Sequence, residues 1–353
     1  MKSLREHSIE VILNNQSESG AYPASPNFPT YQYCWFRDGA FTAYAMDLVG
    51  EHQSATRFHA WAAANILARG EVIMRAMEKA RAGQPLDGAD ILHTRYTLTG
   101  DDAEEDWPNF QLDGFGTWLW ALEEHRKFSR RPLAPDLLAA GKLAAEYLSA
   151  LWARPCYDCW EEYPDRVHPH TLGAIFGGLK AYAAITGVDQ PVGAQIRAFL
   201  DTNAVVGGQF VKYLGTEMVD ASLVGLGTPY RVYALDDPRL EATVAAIACQ
   251  LAPEEGVHRY QTDTYYGGGE WVLLTAWLGW HYVNVGELEK ARTALRWVEN
   301  QISPDGDLPE QVPLHLNDPS YYHFWQTRWG KIATPLLWSH AMYLILLEAI
   351  KRV

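Results

Sequence analysis

The stretch GFGTWLWALEEHRKFSRRPLAPDLLAAGKLAAEYLSALW, residues 114–152, carries the clearest signal for the architecture. It predicts two helices, 114–128 and 135–152, that are joined by a short polar turn. A long loop rich in Trp, Pro and Asp precedes the first helix, and another long loop follows the second. Two helices that share a short turn and are flanked by long loops are typical of a helical hairpin.

The same pattern repeats along the rest of the chain. The first predicted helix opens with Ser3 and Glu6, which have the spacing of a capping box. Strand patterns are rare, and only 208–213 is predicted as a short strand. Further helices are predicted at 3–14, 38–48, 54–82, 170–186, 191–203, 220–226, 238–251, 268–285, 287–301 and 333–351, and long loops at 20–37, 86–113, 156–169, 253–267 and 303–332.

Six helical hairpins that close on themselves form an (α/α)6 toroid, so we predict an all-α fold of this kind. The length of 353 residues alone favours two domains, because single cores rarely grow so large. A closed toroid is an exception, and we therefore expect one domain over 1–353. In such a fold the long loops gather at one end and build a pocket.

The composition excludes several classes of partner. The net charge of −14 argues against nucleic acid and against anionic membrane surfaces, which both require a basic face. A neutral or cationic substrate is expected instead. Aromatic residues are abundant, with 14 Trp and 19 Tyr, and those in the long loops are suited to stack against sugar rings.

The cysteines and the N-terminal residues predict a cytoplasmic protein. The four cysteines, Cys34, Cys156, Cys159 and Cys249, are too few for a disulfide scaffold. Residues 1–10 are charged and lack the apolar core of a signal peptide, and no stretch has the length and apolarity of a membrane span. The CxxC of Cys156 and Cys159 has no second pair of ligands, which argues against a zinc or redox site.

Two carboxylates stand out in the long loops. Glu161 lies in CWEE, residues 159–162, and Glu310 lies in LPEQ, residues 308–311. Two carboxylates that are distant in sequence but close in a cleft can supply the acid and the base of glycosidic bond cleavage. An apolar wall such as Trp160 would raise the pKa of the neighbouring Glu161. The alternatives are a solvated acidic loop around Glu161 and a surface turn at Glu310.

Three other loops contain groups suited to sugar hydroxyls. Arg37 and Asp38 can form a donor–acceptor fork, or they can be an ion pair that caps the following helix. The loop 105–113 offers Trp107 for stacking and Gln111 and Asp113 for hydrogen bonds, although Asp113 can also be a helix cap. The loop 258–271 combines Arg259 and Asp263 with four aromatic residues and three glycines, without the spacing of a phosphate-binding loop.

These motifs together resemble glycoside hydrolase family 15, the glucoamylase and glucodextranase family, over essentially the whole chain. The resemblance implies that Glu161 is the general acid, that Glu310 is the general base and that the reaction inverts configuration. It also implies a set of substrate-binding residues. In this set Tyr31 helps to hold the attacking water, Asp158 is a neighbour that tunes the general acid, and the other residues bind the terminal glucose or line its pocket. The motifs are 31–38 (YQYCWFRD), 107–113 (WPNFQLD), 157–162 (YDCWEE), 219–223 (VDASL), 259–271, 308–311 (LPEQ) and 334–340 (TPLLWSH), and the implied substrate-binding residues are Tyr31, Trp35, Arg37, Asp38, Trp107, Asp158, Trp160, Glu162 and Arg259.

The resemblance therefore implies an exo-acting hydrolase that releases β-glucose from the non-reducing end of short α-glucosides. It is expected to be a compact catalytic domain without the N-terminal β-sandwich of many bacterial members and without a starch-binding domain. We favour α-1,6 (isomaltose-type) substrates over α-1,4 (maltose-type) substrates or trehalose. No cofactor and no metal are expected, the partner is a small glucose-containing oligosaccharide, and the oligomeric state stays open.

Two other classes compete with this hypothesis. One is a sugar-binding or regulatory domain with an inactive site, since phosphorylase kinase subunits resemble the same family. The other is a zinc-dependent α/α toroid, as in prenyltransferases and lanthionine cyclases, but the cysteines offer no convincing ligand set. The segment 315–329 has no clear family counterpart and is rich in aromatic residues, which suits a pocket wall.

Overall fold

The computed structural model describes residues 2–130 and 132–353, so Met1 of the predicted charged N-terminus and Arg131 lie outside the described residues. The chain is mainly helical, with a few two-residue strands. The helices are α1 (Leu4–Asn15), α2 (Phe36–Val49), α3 (His52–Ala68), α4 (Gly70–Arg81), α5 (Asp113–Ser129), α6 (Pro135–Leu151), α7 (Pro169–Thr186), α8 (Val192–Asn203), α9 (Pro238–Gln250), α10 (Val272–Asn284), α11 (Leu288–Glu299), α12 (Ser320–Trp329) and α13 (Leu337–Lys351). The strands are β1 (Cys34–Trp35), β2 (Arg95–Tyr96), β3 (Val205–Val206), β4 (Gln209–Phe210), β5 (Glu270–Trp271) and β6 (Gln311–Val312), which pair as antiparallel β1–β2, β3–β4 and β5–β6.

The helices form two concentric rings. The inner ring runs in the order α2, α5, α7, the 3₁₀ helix Ala221–Leu226, α10 and α13, and it closes because α13 packs against α2. An outer helix packs against each inner element: α3, α6, α8, α9, α11 and α1 in the same order. The predicted all-α (α/α)6 toroid is therefore confirmed.

Side-chain patterns explain which helices lie inside. Residues Val272 to Val283 of α10 are all buried, as expected for a helix with neighbours on every side. The outer helix α11 buries only one stripe, formed by Ala291, Ala294, Trp297 and Val298. The amphipathic helices thus surround apolar ones.

Long connections precede every inner element and lie at one end of the toroid. They span 16–35, 82–112, 152–168, 204–220, 251–271 and 300–336, whereas turns such as 50–51 and 285–287 are short. Five of these loops were predicted, and the sixth, 204–220, was not. The predicted strand in 208–213 is present as β4, and the predicted capping box between Ser3 and Glu6 is also present.

Several predicted helix limits are wrong for identifiable reasons. The single helix 54–82 is two helices, because Arg69 leaves the helical conformation and its guanidinium binds the carbonyl of Gly100 at 2.9 Å. The helix predicted from 268 begins at 272, since Gly268 has a φ of +69° and β5 follows it. The helix predicted from 333 begins after Pro335, where the amide of Leu337 binds the carbonyl of Ala24.

Within the described residues, none of the helices combines the length and the apolarity that crossing a membrane requires.

Candidate active site

A cavity of about 390 Å³ opens at the loop end of the toroid. Ten of the eleven predicted site residues line it, and they come from five of the long loops and from the first turn of α2. These residues are Tyr31, Trp35, Arg37, Asp38, Trp107, Trp160, Glu161, Glu162, Arg259 and Glu310.

Glu161 is held by two indole groups. Trp35 Nε1 donates to Oε1 at 2.5 Å, and Trp107 Nε1 donates to Oε2 at 3.0 Å. The residue has a φ of +67°, in the left-handed region that non-glycine residues rarely adopt, and its amide binds the carbonyl of Asp158 at 3.0 Å. Burial within the cavity wall raises the pKa of Glu161 to about 7, although the nearby Arg37 charge opposes this rise.

Glu310 borders the same cavity from a different loop, directly before β6. Its amide binds the carbonyl of Ala333 at 2.9 Å, and its carbonyl accepts from the amide of Val272 at 3.2 Å, so the backbone is fixed from both sides. Tyr31 Oη donates to Oε1 at 3.1 Å, whereas the buried Oε2 has no hydrogen-bond partner among the described residues. Burial raises the pKa of Glu310 to about 8.

Two adjacent aromatic residues connect the carboxyl groups. Tyr31 contacts Glu310 and Trp35 contacts Glu161, and their rings lie 5.7 Å apart, edge to face. Tyr265 fixes the position of the Tyr31 hydroxyl, since the two phenolic oxygens are 2.9 Å apart. Both carboxyl groups therefore border one cavity, and the packed aromatic side chains hold them at a fixed separation.

Arg37 and Asp38 occupy the first turn of α2. Arg37 Nη2 lies 3.2 Å from Asp38, and Nη1 donates to Gln111 at 2.9 Å and to Asp113 at 3.3 Å. Burial raises the pKa of Asp38 to about 6, against the opposing effect of Arg37. The helix begins at Phe36, so the alternative in which Asp38 is the N-cap is wrong, and Asp113 is likewise the first residue of α5 rather than its cap.

Arg259 and Glu162 form a second ionic group on the cavity wall. Arg259 Nε donates to Asp263 at 2.8 Å, and Nη2 lies 3.4 Å from Glu162. Tyr260 Oη donates to the other oxygen of Glu162 at 2.5 Å. The guanidinium of Arg259 also lies 5.0 Å from the ring centre of Trp271, which gives it an aromatic backing.

Comparison with known proteins identifies the family. The profile of Glycosyl hydrolases family 15 matches residues 4–304, most of the chain. The chain belongs to this family. It is therefore a glycoside hydrolase.

Individual proteins that are similar to this chain agree with this assignment. The isomaltose glucohydrolase of Kribbella flavida is 41% identical over 358 residues, which cover 99% of this chain and 92% of that protein. A solved glycosidase variant in complex with glucose is 41% identical, with a TM-score of 0.95 and coverage of 99% and 96% of the two chains. A bacterial glucoamylase in complex with acarbose shares the fold, with a TM-score of 0.77 at 20% identity over 99% of this chain and 56% of that one.

Asp158 is the one predicted site residue that the cavity does not include. Its Oδ1 accepts from the amides of Trp160 and Glu162, both at 2.9 Å, and its Oδ2 accepts from Lys212 at 2.9 Å. Asp158 therefore shapes the loop that presents Glu161 from behind the cavity wall. Asp158 was predicted in the substrate-binding set as the residue that tunes the acid, and its contacts place it behind the cavity wall rather than on it.

Lys212 is a structural residue of this family 15 site that sequence reasoning missed. Its ammonium group bridges Asp158 at 2.9 Å and Asp220 at 2.7 Å, and Asp220 in turn accepts from Trp160 Nε1 at 3.0 Å. Lys212 lies in the unpredicted loop 204–220, outside the family motifs. Only the buried acidic residues that surround it could have indicated a cationic partner.

Helix α12 supplies further wall residues. Trp325, Arg328 and Trp329 line the cavity, which confirms the expectation that 315–329 contributes to the pocket wall. Tyr265 packs against Trp325, with ring centres 5.1 Å apart, and so connects α12 to the Tyr31 hydroxyl.

Proposed function

We propose that this family 15 enzyme is an exo-acting, inverting α-glucoside hydrolase that releases β-glucose from the non-reducing end of short α-glucosides, with isomaltose-type α-1,6 substrates preferred. The observation that carries the proposal is the pair Glu161 and Glu310, which border one cavity and are held by different donors. Two such carboxyl groups meet the requirement for an acid and a base on opposite sides of the scissile bond.

Glu161 acts as the general acid. Its proton passes to the glycosidic oxygen as the bond between that oxygen and the anomeric carbon breaks, and the leaving sugar departs as an alcohol. Its raised pKa keeps a protonated fraction near neutral pH. The indoles of Trp35 and Trp107 then stabilise the carboxylate that remains, since both can only donate.

Glu310 acts as the general base. Water attacks the anomeric carbon from the opposite face, and its proton passes to Glu310, so the configuration inverts. The Oε2 atom has no hydrogen-bond partner among the described residues, so it is the oxygen with lone pairs free to accept that proton. Tyr31 orients the carboxylate through Oε1, and Tyr265 holds the Tyr31 hydroxyl in place. Proton exchange with solvent restores both groups after product release.

The burial-raised pKa values do not distinguish the acid from the base, since Glu161 and Glu310 both titrate near neutrality. The assignment follows from the motifs and from the surroundings of each group. Glu161 has a donor on each oxygen, which suits a group that ends the step as an anion. Glu310 has one oxygen without a partner, which suits a group that must accept a proton from water.

The remaining polar groups of the cavity bind the terminal glucose through hydrogen bonds to its hydroxyl groups. Arg37 with Asp38 and Arg259 with Glu162 each present a donor beside an acceptor, which matches vicinal hydroxyl groups. Trp338 lies beneath the Arg37 guanidinium at 5.1 Å, so the toroid core closes the cavity below the sugar. A cavity with a closed floor supports exo action, because a longer chain can enter only with its end.

The α-1,6 preference rests on the 41% identity with the isomaltose glucohydrolase over nearly the full chain. Purified protein is to be incubated with isomaltose, maltose, trehalose and panose, and the released glucose quantified. We expect isomaltose to give the highest kcat/KM. A higher value for maltose or trehalose would overturn the linkage preference, and no release from any of them would favour the regulatory, sugar-binding alternative.

The roles of the two carboxyl groups need a separate test. In Glu310→Ala, we expect turnover to be lost while binding of isomaltose, measured by calorimetry, is retained. Near-wild-type turnover in this variant would contradict the role of Glu310 as the base. A single catalytic domain over 1–353 and a cytoplasmic location also remain predictions of this account.

A further inference from the structure

A second group of ionisable side chains lies towards the opposite end of the toroid. Asp47 is near the end of α2, His125 is near the end of α5, and His59 projects from α3, which packs against both of those helices. None of these residues borders the cavity of the active site. The proposed reaction therefore leaves them without a role.

The three side chains converge in the protein interior. Asp47, His59 and His125 are 2%, 0% and 4% exposed, and one potential ligand atom from each lies within 4.8 Å of the other two. The rings of His59 and His125 have centres 4.8 Å apart. Buried polar groups of this kind are costly unless each is hydrogen-bonded or coordinates a metal.

His59 indicates what kind of partner is involved. Both of its ring nitrogens are buried, and neither has a hydrogen-bond partner among the described residues. A neutral imidazole carries one N–H donor and one nitrogen lone pair, and buried groups of this kind are nearly always satisfied. Burial disfavours the charged form, so the lone pair is available. An unsatisfied imidazole beside a second imidazole and a carboxylate indicates a missing cation.

The surroundings already orient the other two side chains. Asp47 Oδ1 lies 2.7 Å from His52 Nδ1, and Asp47 Oδ2 lies 2.8 Å from His125 Nδ1. The Thr56 hydroxyl lies 3.2 Å from His125 Nε2. The 2.8 Å contact joins two members of the cluster, and a cation between them would replace this hydrogen bond. His52 and Thr56 are outer partners that fix the rotation of the carboxylate and the imidazole, as is typical of metal centres.

We propose that Asp47, His59 and His125 bind a structural zinc ion that cross-links α2, α3 and α5. Two imidazoles and one carboxylate are a donor set that zinc accepts, with water in the fourth position. Zinc bonds of about 2.0–2.1 Å place tetrahedral ligand atoms about 3.3 Å apart. Ligand atoms within 4.8 Å of one another therefore need to approach by at most about 1.5 Å, which side-chain rotations can supply.

This site differs from the catalytic zinc site considered as an alternative from the sequence. It lies away from Glu161 and Glu310 and contains no cysteine, so it has no part in bond cleavage. Its expected contribution is to stability, because an ion that binds only the folded chain favours folding.

The first test is the metal content of tag-free protein. Wild type, His59→Gln and His281→Gln are produced in medium with zinc chloride, dialysed against metal-free buffer and analysed by mass spectrometry of the elements. We expect about one zinc ion per chain in wild type and in the control His281→Gln, and a loss of zinc in His59→Gln. His281 is the matched control because it is also buried but lies outside the cluster.

The second test distinguishes binding from misfolding. Circular dichroism establishes that His59→Gln is folded, and cobalt chloride is added to each metal-stripped protein. Wild type should give the intense visible absorption of tetrahedral cobalt, lose it when zinc chloride is added, and show a rise in Tm with zinc that His59→Gln lacks. The proposal would be overturned if wild-type protein bound no zinc, gave no cobalt absorption or showed no change in Tm with zinc. An unchanged zinc content in His59→Gln would overturn it as well.

Discussion

The indole of Trp35 should set the pH at which the enzyme works best. Trp35 Nε1 donates to Glu161 Oε1 at 2.5 Å, and this bond stabilises the ionised carboxylate and lowers its pKa. Trp35→Phe removes the donor and keeps an aromatic ring. A hydrogen bond to a charged group contributes about 1.5–3 kcal/mol, and one pKa unit corresponds to about 1.4 kcal/mol. The pKa of Glu161 should therefore rise by about 1–2 units.

The assay is the pH dependence of kcat/KM on isomaltose. One carboxyl group must be protonated and the other ionised, so the profile is bell-shaped and its maximum lies midway between the two apparent pKa values. A rise of about 1–2 units in one of them moves the maximum to higher pH by about 0.5–1 unit. Trp329→Phe is the control, because Trp329 lines the cavity without a hydrogen bond to either catalytic carboxyl group. It should alter KM and leave the maximum in place.

A maximum that stays unchanged in Trp35→Phe, or that moves to lower pH, would refute the reasoning. The first result would mean that the indole does not act on the carboxylate. The second would mean that the bond stabilises the protonated form.

Three further predictions concern the same site. In wild type, the burial-raised pKa values of about 7 for Glu161 and about 8 for Glu310 place the maximum of kcat/KM between them; a maximum near the ordinary carboxyl pKa of 4.5 would contradict burial as the controlling factor. In Glu161→Gln, kcat should fall by at least about 100-fold on isomaltose and far less on α-glucosyl fluoride, whose leaving group needs no protonation; equal losses would argue against the acid role. The variant Lys212→Met leaves Asp158 and Asp220 buried without their cation, so the free energy of unfolding in urea should fall by about 3–5 kcal/mol. The control Lys142→Met removes an exposed lysine and should lower it by at most about 1 kcal/mol. Similar losses in both variants would mean that Lys212 does not stabilise the site.

The toroid could be predicted because helix pairing and loop length are local properties of a sequence. The limits of individual helices depended on distant contacts. Arg69 ends α3 by binding the carbonyl of Gly100, and β5 shortens α10 by pairing with β6 from a loop about 40 residues away. Helix α12 was predicted only as a pocket wall, because it has no buried residue and therefore lacks the apolar stripe that indicates a core helix.

The cavity-lining residues could be predicted where they lie in recognisable motifs. Glu161 and Glu310 have aromatic or proline neighbours in their own loops, and both border the cavity. Lys212 is a single lysine whose partners lie 54 and 8 residues away in sequence, so no local pattern indicates it. The same holds for Asp47, His59 and His125, which only the packing of α2, α3 and α5 brings together.

Proton NMR of the first glucose released from isomaltose tests the central claim most directly. In the proposed mechanism, Glu161 protonates the leaving oxygen while Glu310 activates water on the opposite face of the sugar. Spectra taken before mutarotation should show β-glucose as the first product. Initial α-glucose would contradict the inverting mechanism and the roles given to both carboxyl groups.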